Sequence, residues 1–185
     1  MKKVLIAALL LVSSNAIFAQ INKGQWMVGG NISFSSSKYG DVDDSKETMF
    51  SIAPNAGYFF IDKLAGGLRL AFSSDKVKTA SDASTQLSIA PFVRYYFLDA
   101  AQKVNVFADG SYGFGSAGAK DKESFNYFQF MAGPAIFLTP NTALELALSY
   151  KSSGGDAYGD DRLKDFGFNI GFQIHLGGGS MSAKK

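Results

Sequence analysis

Cysteine is absent from the 185 residues. That excludes a disulfide framework and any thiolate chemistry. Histidine occurs once, at His175, and proline only four times. Charged residues make up 18% of the chain and the formal net charge is +2, which excludes the basic footprint of a nucleic-acid-binding domain. Beyond residue 20 no apolar run approaches the roughly 20 residues of a membrane-spanning helix. Glycine (20) and phenylalanine (17) are plentiful. A domain of this size without disulfides has to close its core by some other means.

The N-terminus sets the compartment. Lys2 and Lys3 precede an unbroken apolar run from Val4 to Val12, and polar Ser13–Asn15 lead into Ala16-Ile17-Phe18-Ala19. This is the pattern of a secretory signal peptide cleaved after Ala19, with an apolar core too short to span a bilayer. The expected organisation is a signal over residues 1–19, one domain over residues 20–176 and a flexible tail over residues 177–185.

Residues 51–150 repeat one theme. SIAPNAGYFFID with LAGGLRLAF, SIAPFVRYYFLD with VNVFADGSY, and FMAGPAIFLT with ALELALSY are each two alternating runs around a short break. Such units are β-hairpins. A further alternating run precedes them (Gln25 to Ser35, with Trp26, Val28, Ile32 and Phe34 on one face). Another follows (Phe166, Phe168, Ile170, Phe172, Ile174 and Leu176). The period of two makes eight strands. Short turns are expected at residues 62–63, 100–103 and 140–141, and long polar loops at 36–47, 74–84, 115–123 and 151–163. The alternation of long and short connections distinguishes two ends of one object.

A soluble sandwich would turn its apolar face inward, whereas a transmembrane barrel turns it toward lipid and fills its lumen with small and polar groups. The second face here carries Gly, Ala and Ser with Met27, Phe59, Phe92, Phe107 and Phe137, and almost no lysine or glutamate, which does not suit water. Its few charges, Arg69, Arg94, Asp109 and Glu145, are of both signs and can pair across a narrow lumen. A turn centred on Ala101-Gln102 makes Arg94 and Asp109 direct cross-strand partners. Trp26, Tyr58, Tyr95, Phe97, Tyr112 and Tyr150 fall toward strand ends, where aromatic girdles sit. The expected fold is all-β, an eight-stranded antiparallel up-and-down transmembrane barrel, closed because lipid tolerates no open sheet edge. Pro54, Pro91 and Pro134 occupy equivalent lipid-facing positions. Proline cannot donate to a ladder, so each is expected to mark a local break in pairing, with a bulge as one form of it.

On these features, on Phe18-Ala19-Gln20 after the signal core and on the final run FGFNIGFQIHL, the chain resembles the small outer-membrane β-barrel proteins of Gram-negative bacteria. These are the OmpX and OmpA-barrel type of the porin family, and the two motifs are especially similar to Bacteroidota members. The resemblance implies a bacterial outer-membrane protein with both termini in the periplasm and long loops outside. It implies contact with outer-membrane lipid and lipopolysaccharide, a surface ligand held by the loops, and a monomeric state. One departure is that the last strand ends His175-Leu176 rather than on an aromatic residue.

Candidate chemistry is sparse. Some barrels of this type modify lipid A with a histidine and a serine, but the lone His175 falls at the periplasmic end, opposite their working end. Acidic segments Asp41–Asp44 and Asp156–Asp161 offer oxygen ligands for a divalent cation, but their spacing fits no EF-hand, and solvated loops explain them equally. No metal and no cofactor are expected. Eight strands enclose a lumen that side chains fill, so a solute channel or a hydrophobic-molecule route is the weaker alternative. The polar lumenal set is expected to be Arg69, Arg94, Asp109, Glu145, Gln129 and His175, with a structural role.

Overall fold

The computed structural model describes residues 21–38, 46–76, 84–118 and 122–177. The expected signal segment, the expected tail from Gly178 onward and the acidic stretch Asp41–Asp44 lie outside them. Eight strands follow in order: β1 (Trp26–Lys38), β2 (Lys46–Ile61), β3 (Leu64–Lys76), β4 (Ser84–Tyr96), β5 (Val104–Gly118), β6 (Glu123–Thr139), β7 (Thr142–Gly155) and β8 (Gly159–Leu176). Each pairs antiparallel with the next, and β8 returns to β1, from Trp26 opposite Leu176 to Ser35 opposite Gly167. The sheet is an up-and-down barrel with no free edge.

The period of two sorts the side chains, but in the opposite sense to a soluble protein. In β2, Ala53, Asn55, Gly57 and Phe59 are buried while Pro54, Ala56, Tyr58 and Phe60 are exposed. In β8, Asn169, Gln173 and His175 are buried while Phe168, Ile170, Phe172 and Ile174 are exposed. Exposed large apolar side chains ring the whole outer wall, and the interior holds arginine, aspartate and glutamate. A continuous apolar exterior of this kind requires a nonaqueous surrounding. In β5 the outward apolar positions run from Val104 to Phe114, and in β8 from Phe166 to Leu176. Ten steps of about 3.3 Å, tilted by about 40°, give a band about 25 Å tall, the hydrocarbon thickness that such barrels match.

The structure corrects the expected loops. β7 continues to Gly155 and β8 begins at Gly159, so the expected loop over 151–163 is reduced to the three-residue helical turn Asp156–Tyr158. Within that stretch Lys151 faces Asp165, Ser152 faces Lys164 and Ser153 faces Leu163 across a regular ladder. Likewise β5 reaches Gly118 and β6 starts at Glu123, which consumes most of the expected loop 115–123. The physical reason is that pairing needs only backbone groups. Once a strand leaves the apolar band its outward residues no longer have to be apolar, so the alternation that marks a strand stops before the strand does. The aromatic girdle residues Tyr112 and Tyr150 therefore bound the band rather than the strands.

The proline expectation holds in part. Pro54 stays in register with Gly30 of β1, but β2 pairs with β3 at Ile52 opposite Phe72 and next at Asn55 opposite Arg69. Pro91 pairs with Leu68 of β3, while pairing with β5 passes from Ile89–Phe114 to Phe92–Ser111. Pro134 pairs with Val106 of β5, while pairing with β7 passes from Ala132–Leu148 to Ala135–Glu145. In each case the ladder to the following strand lapses at the proline and the residue before it, then resumes in the same register. Both strands advance equally, so none is a bulge. The register shifts lie instead at Phe59/Ile61, Phe137/Thr139 and Ser153/Gly155, beside turns.

Candidate functional site

The lumen is built by inward positions of all eight strands and divides into three levels. At its centre lie two arginines and two carboxylates. The Arg69 Nη2 donates to Asp109 Oδ2 at 2.9 Å, and the Arg94 Nε donates to the same oxygen at 3.0 Å. Arg94 Nη1 also donates to both oxygens of Glu145, at 2.8 and 2.7 Å. Arg94 and Asp109 are cross-strand partners, as expected from the turn. Every one of these side chains is at most 3% exposed. The charges sum to zero, as a low-dielectric interior demands of groups that stay ionised. The guanidinium of Arg94 also lies 4.5 Å from the ring centroid of Phe107, and that of Arg69 lies 4.9 Å from that of Phe92. Such contacts favour a desolvated cation.

Tyr96 lies on the same face as Arg94 and joins this network, a part that sequence reasoning missed. Its hydroxyl donates to Glu145 Oε1 at 3.0 Å. Ser111 was likewise missed; it accepts from Arg69 Nη1 at 3.3 Å. The available signal was parity, since both fall on the face that carries the four charges.

Toward the turn end the lumen is closed by aromatic rings, with Gln25, Asn105 and Gln173 buried among them. Phe59, Tyr96 and Phe137 surround His175 with ring centroids 5.6, 6.1 and 5.6 Å away. Among the described residues neither ring nitrogen of His175 has a hydrogen-bond partner. The chain ahead of β1 seals this mouth. Ile21 is fully buried, its carbonyl accepts from Lys63 N at 2.8 Å, and Gly24 N donates to Phe59 O at 2.8 Å.

Toward the other end the lumen opens into a polar vestibule of about 60 Å³, lined by Ser, Asn and Gln side chains and by Lys151 and Asp165, with Arg69 at its base. At about 10–15 Å³ per water this is room for a few waters. Gln129 stands in its half-buried wall rather than in the ionic network. Tyr127 lies across the vestibule, within 3.4 Å of Ser88 Oγ. Gly113 makes space for it, because a Cβ there would land on the Tyr127 ring. The six expected lumenal residues thus separate into a four-membered network, a vestibule residue and a histidine in an aromatic box. Among the described residues no cluster of three or more acidic, histidine or cysteine side chains could hold a metal, and Asp156 accepts from Ser124 Oγ at 2.6 Å.

An apolar exterior about as tall as a hydrocarbon core, around a closed wall with a polar, charge-paired interior, defines an integral membrane β-barrel. The family model described as "Outer membrane protein beta-barrel domain" matches residues 4–175, and the chain belongs to that family. It is accordingly a protein of the bacterial outer membrane. No protein of curated function matches it by sequence. Solved structures similar to it include Neisserial surface protein A, at 16% identity and TM-score 0.59, with 82% of this chain and 97% of that one covered. OprG from Pseudomonas aeruginosa is similar at 13% identity and TM-score 0.56, with 88% and 100% covered. The outer membrane enzyme PagL is similar at 9% identity and TM-score 0.53, with 80% and 98% covered. At these identities the likeness is one of fold alone, and the fold hosts both enzymes and non-enzymes.

Proposed function

We propose that this chain is a non-enzymatic barrel with an occluded lumen, acting in envelope integrity or in surface interaction through the end opposite its termini. In this reading a signal peptide is removed after Ala19, the barrel is monomeric and both termini are periplasmic. The observation that carries it is the filled lumen. The network of Arg69, Arg94, Asp109 and Glu145 spans the bore at 3% exposure or less, and the rings around His175 back it. A plug of paired charges leaves no open path for ions through the described bore. The vestibule above it admits only a few waters.

Planar bilayer recording of the purified protein tests this. The expected record is a flat baseline, and sustained conducting steps would sink the occluded-lumen reading. Mass shifts in lipid A on overexpression would sink the non-enzymatic part.

A further inference from the structure

Met27 and His175 stand opposite each other where β8 closes on β1. Both side chains are inward and fully buried. Facing positions in an antiparallel pair put their Cβ atoms about 4.5–5.5 Å apart. Among the described residues, Nδ1 and Nε2 of His175 have no hydrogen-bond partner, and neither has either amide atom of Gln173, the preceding inward residue of β8. A buried polar atom carries a desolvation cost unless something binds it. A phenylalanine at position 175 would fill the same aromatic box without that cost. The imidazole therefore calls for a partner other than the side chains around it.

The facing thioether is held in place. The Tyr96 hydroxyl lies 3.6 Å from Met27 Sδ, and Arg94 Nη1 lies 3.9 Å from it. Gly57 pairs with Met27 from β2. A Cβ there would stand 3.5 Å from the Met27 methyl, so glycine gives the thioether its room. The rings of Phe59, Tyr96 and Phe137 enclose the imidazole. A thioether is a soft ligand that selects copper(I)-like ions over hard ones, and an imidazole nitrogen suits the same ions. Aromatic faces attract a desolvated cation. Bonds of about 2.0 Å to nitrogen and about 2.3 Å to sulfur, the lengths common at zinc, reach across the gap between facing side chains.

We infer that Met27 and His175 form a two-ligand site for one soft monovalent metal ion of the copper(I) and silver(I) class. Charge sets the limit to a single unit. The four lumenal charges already balance, and Arg94 stands close to the sulfur. Glu145, 3.0 Å from the Tyr96 hydroxyl, offsets part of one added charge. The cost of burying an ion rises with the square of its charge, so a divalent ion held by two neutral ligands is excluded. The pair differs from the acidic, histidine and cysteine clusters that hold harder ions. The site lies behind the Ile21–Gln25 segment, and it is the same whichever rim faces outward.

The test uses the untagged full chain, purified from outer membranes in chloride-free mild detergent and offered silver(I) nitrate or zinc(II) acetate, with native mass spectrometry as readout. The wild type is expected to hold one silver(I) and no zinc(II). His175→Phe, and separately Met27→Leu, should each weaken silver(I) binding about 100-fold or more, at least the upper end of what loss of an outer-shell partner costs. Met131→Leu, lumenal but on β6, should leave it unchanged. His175 is the one histidine of the chain, so its imidazole resonance in the wild type needs no variant for assignment. That resonance and one methionine methyl should shift together at one equivalent of silver(I). Undiminished binding in His175→Phe or Met27→Leu would overturn the inference. So would equal binding of zinc(II), or an unmoved imidazole resonance, the outcome for a box that holds only water. Heat-dependent gel mobility reports folding of every variant. A wild type with that mobility but no silver(I) defeats this inference alone, whereas a wild type without it defeats the barrel reading as well.

Discussion

At the scale of single residues, Arg94 decides whether the lumen stays closed and neutral. It bonds Asp109 and Glu145 together, so its removal leaves Glu145 with only the Tyr96 hydroxyl. Breaking a buried pair from one side costs about 3–5 kcal/mol, whereas replacing both partners by apolar groups of similar volume is often nearly neutral. Arg94→Met should therefore destabilise the barrel by about 3–5 kcal/mol, and Arg94→Met with Glu145→Leu should recover at least half of that. Urea unfolding of the lipid-reconstituted protein, followed by the fluorescence of its one tryptophan, Trp26, measures both. Equal losses in the single and double variants would show that the network is not acting as a unit. Gly113 offers a smaller test. An alanine there meets the Tyr127 ring, so Gly113→Ala should cost about 1–3 kcal/mol as overpacking, and Tyr127→Ala should relieve it. The four charges were legible in the sequence because parity put them on one face. The Gly113–Tyr127 fit was not, since it depends on which β5 residue stands opposite which β6 residue, and no local pattern sets that.

At the scale of the strand, the apolar alternation revealed where lipid begins and ends, not where pairing ends. The stretch from Lys151 to Gly155 reads as loop because Ser and Gly carry no period, yet it is paired to β8. Outward Ser152 is buried under Arg162 rather than solvated. The prolines were legible for the converse reason: a missing N–H is a chemical fact that no context restores. Each interrupts only the ladder to the following strand, so the lapse should be repairable. Pro91 falls in the gap between Ile89–Phe114 and Phe92–Ser111 of the β4–β5 register. Pro91→Val supplies the missing donor on a lipid-facing site that suits a β-branched residue. The new amide should become protected from hydrogen exchange, and the barrel should gain about 1 kcal/mol in the same urea assay. An amide at position 91 that exchanges freely would mean that strand curvature, not the missing donor, opens the ladder there.

At the scale of the whole molecule, closure and an even strand count put the start of β1 and the end of β8 at one rim. The turns Asp62-Lys63 and Pro140-Asn141 join them there, as does the Ile21–Gln25 segment that seals the lumen. The other rim carries the longer strand extensions, the vestibule mouth, and the cations Arg162 and Lys164. Insertion of such a barrel from the periplasmic side moves the polar connections of one rim across the bilayer, and short tight turns are the ones that stay behind. The rims differ enough for orientation to be read directly. An epitope inserted between residues 79 and 80, in the β3–β4 connection, should bind antibody on intact cells. The same epitope placed after Lys185 should bind only once the outer membrane is permeabilised. The reverse pattern would invert the barrel. It would turn the vestibule toward the periplasm and its paired charges with it.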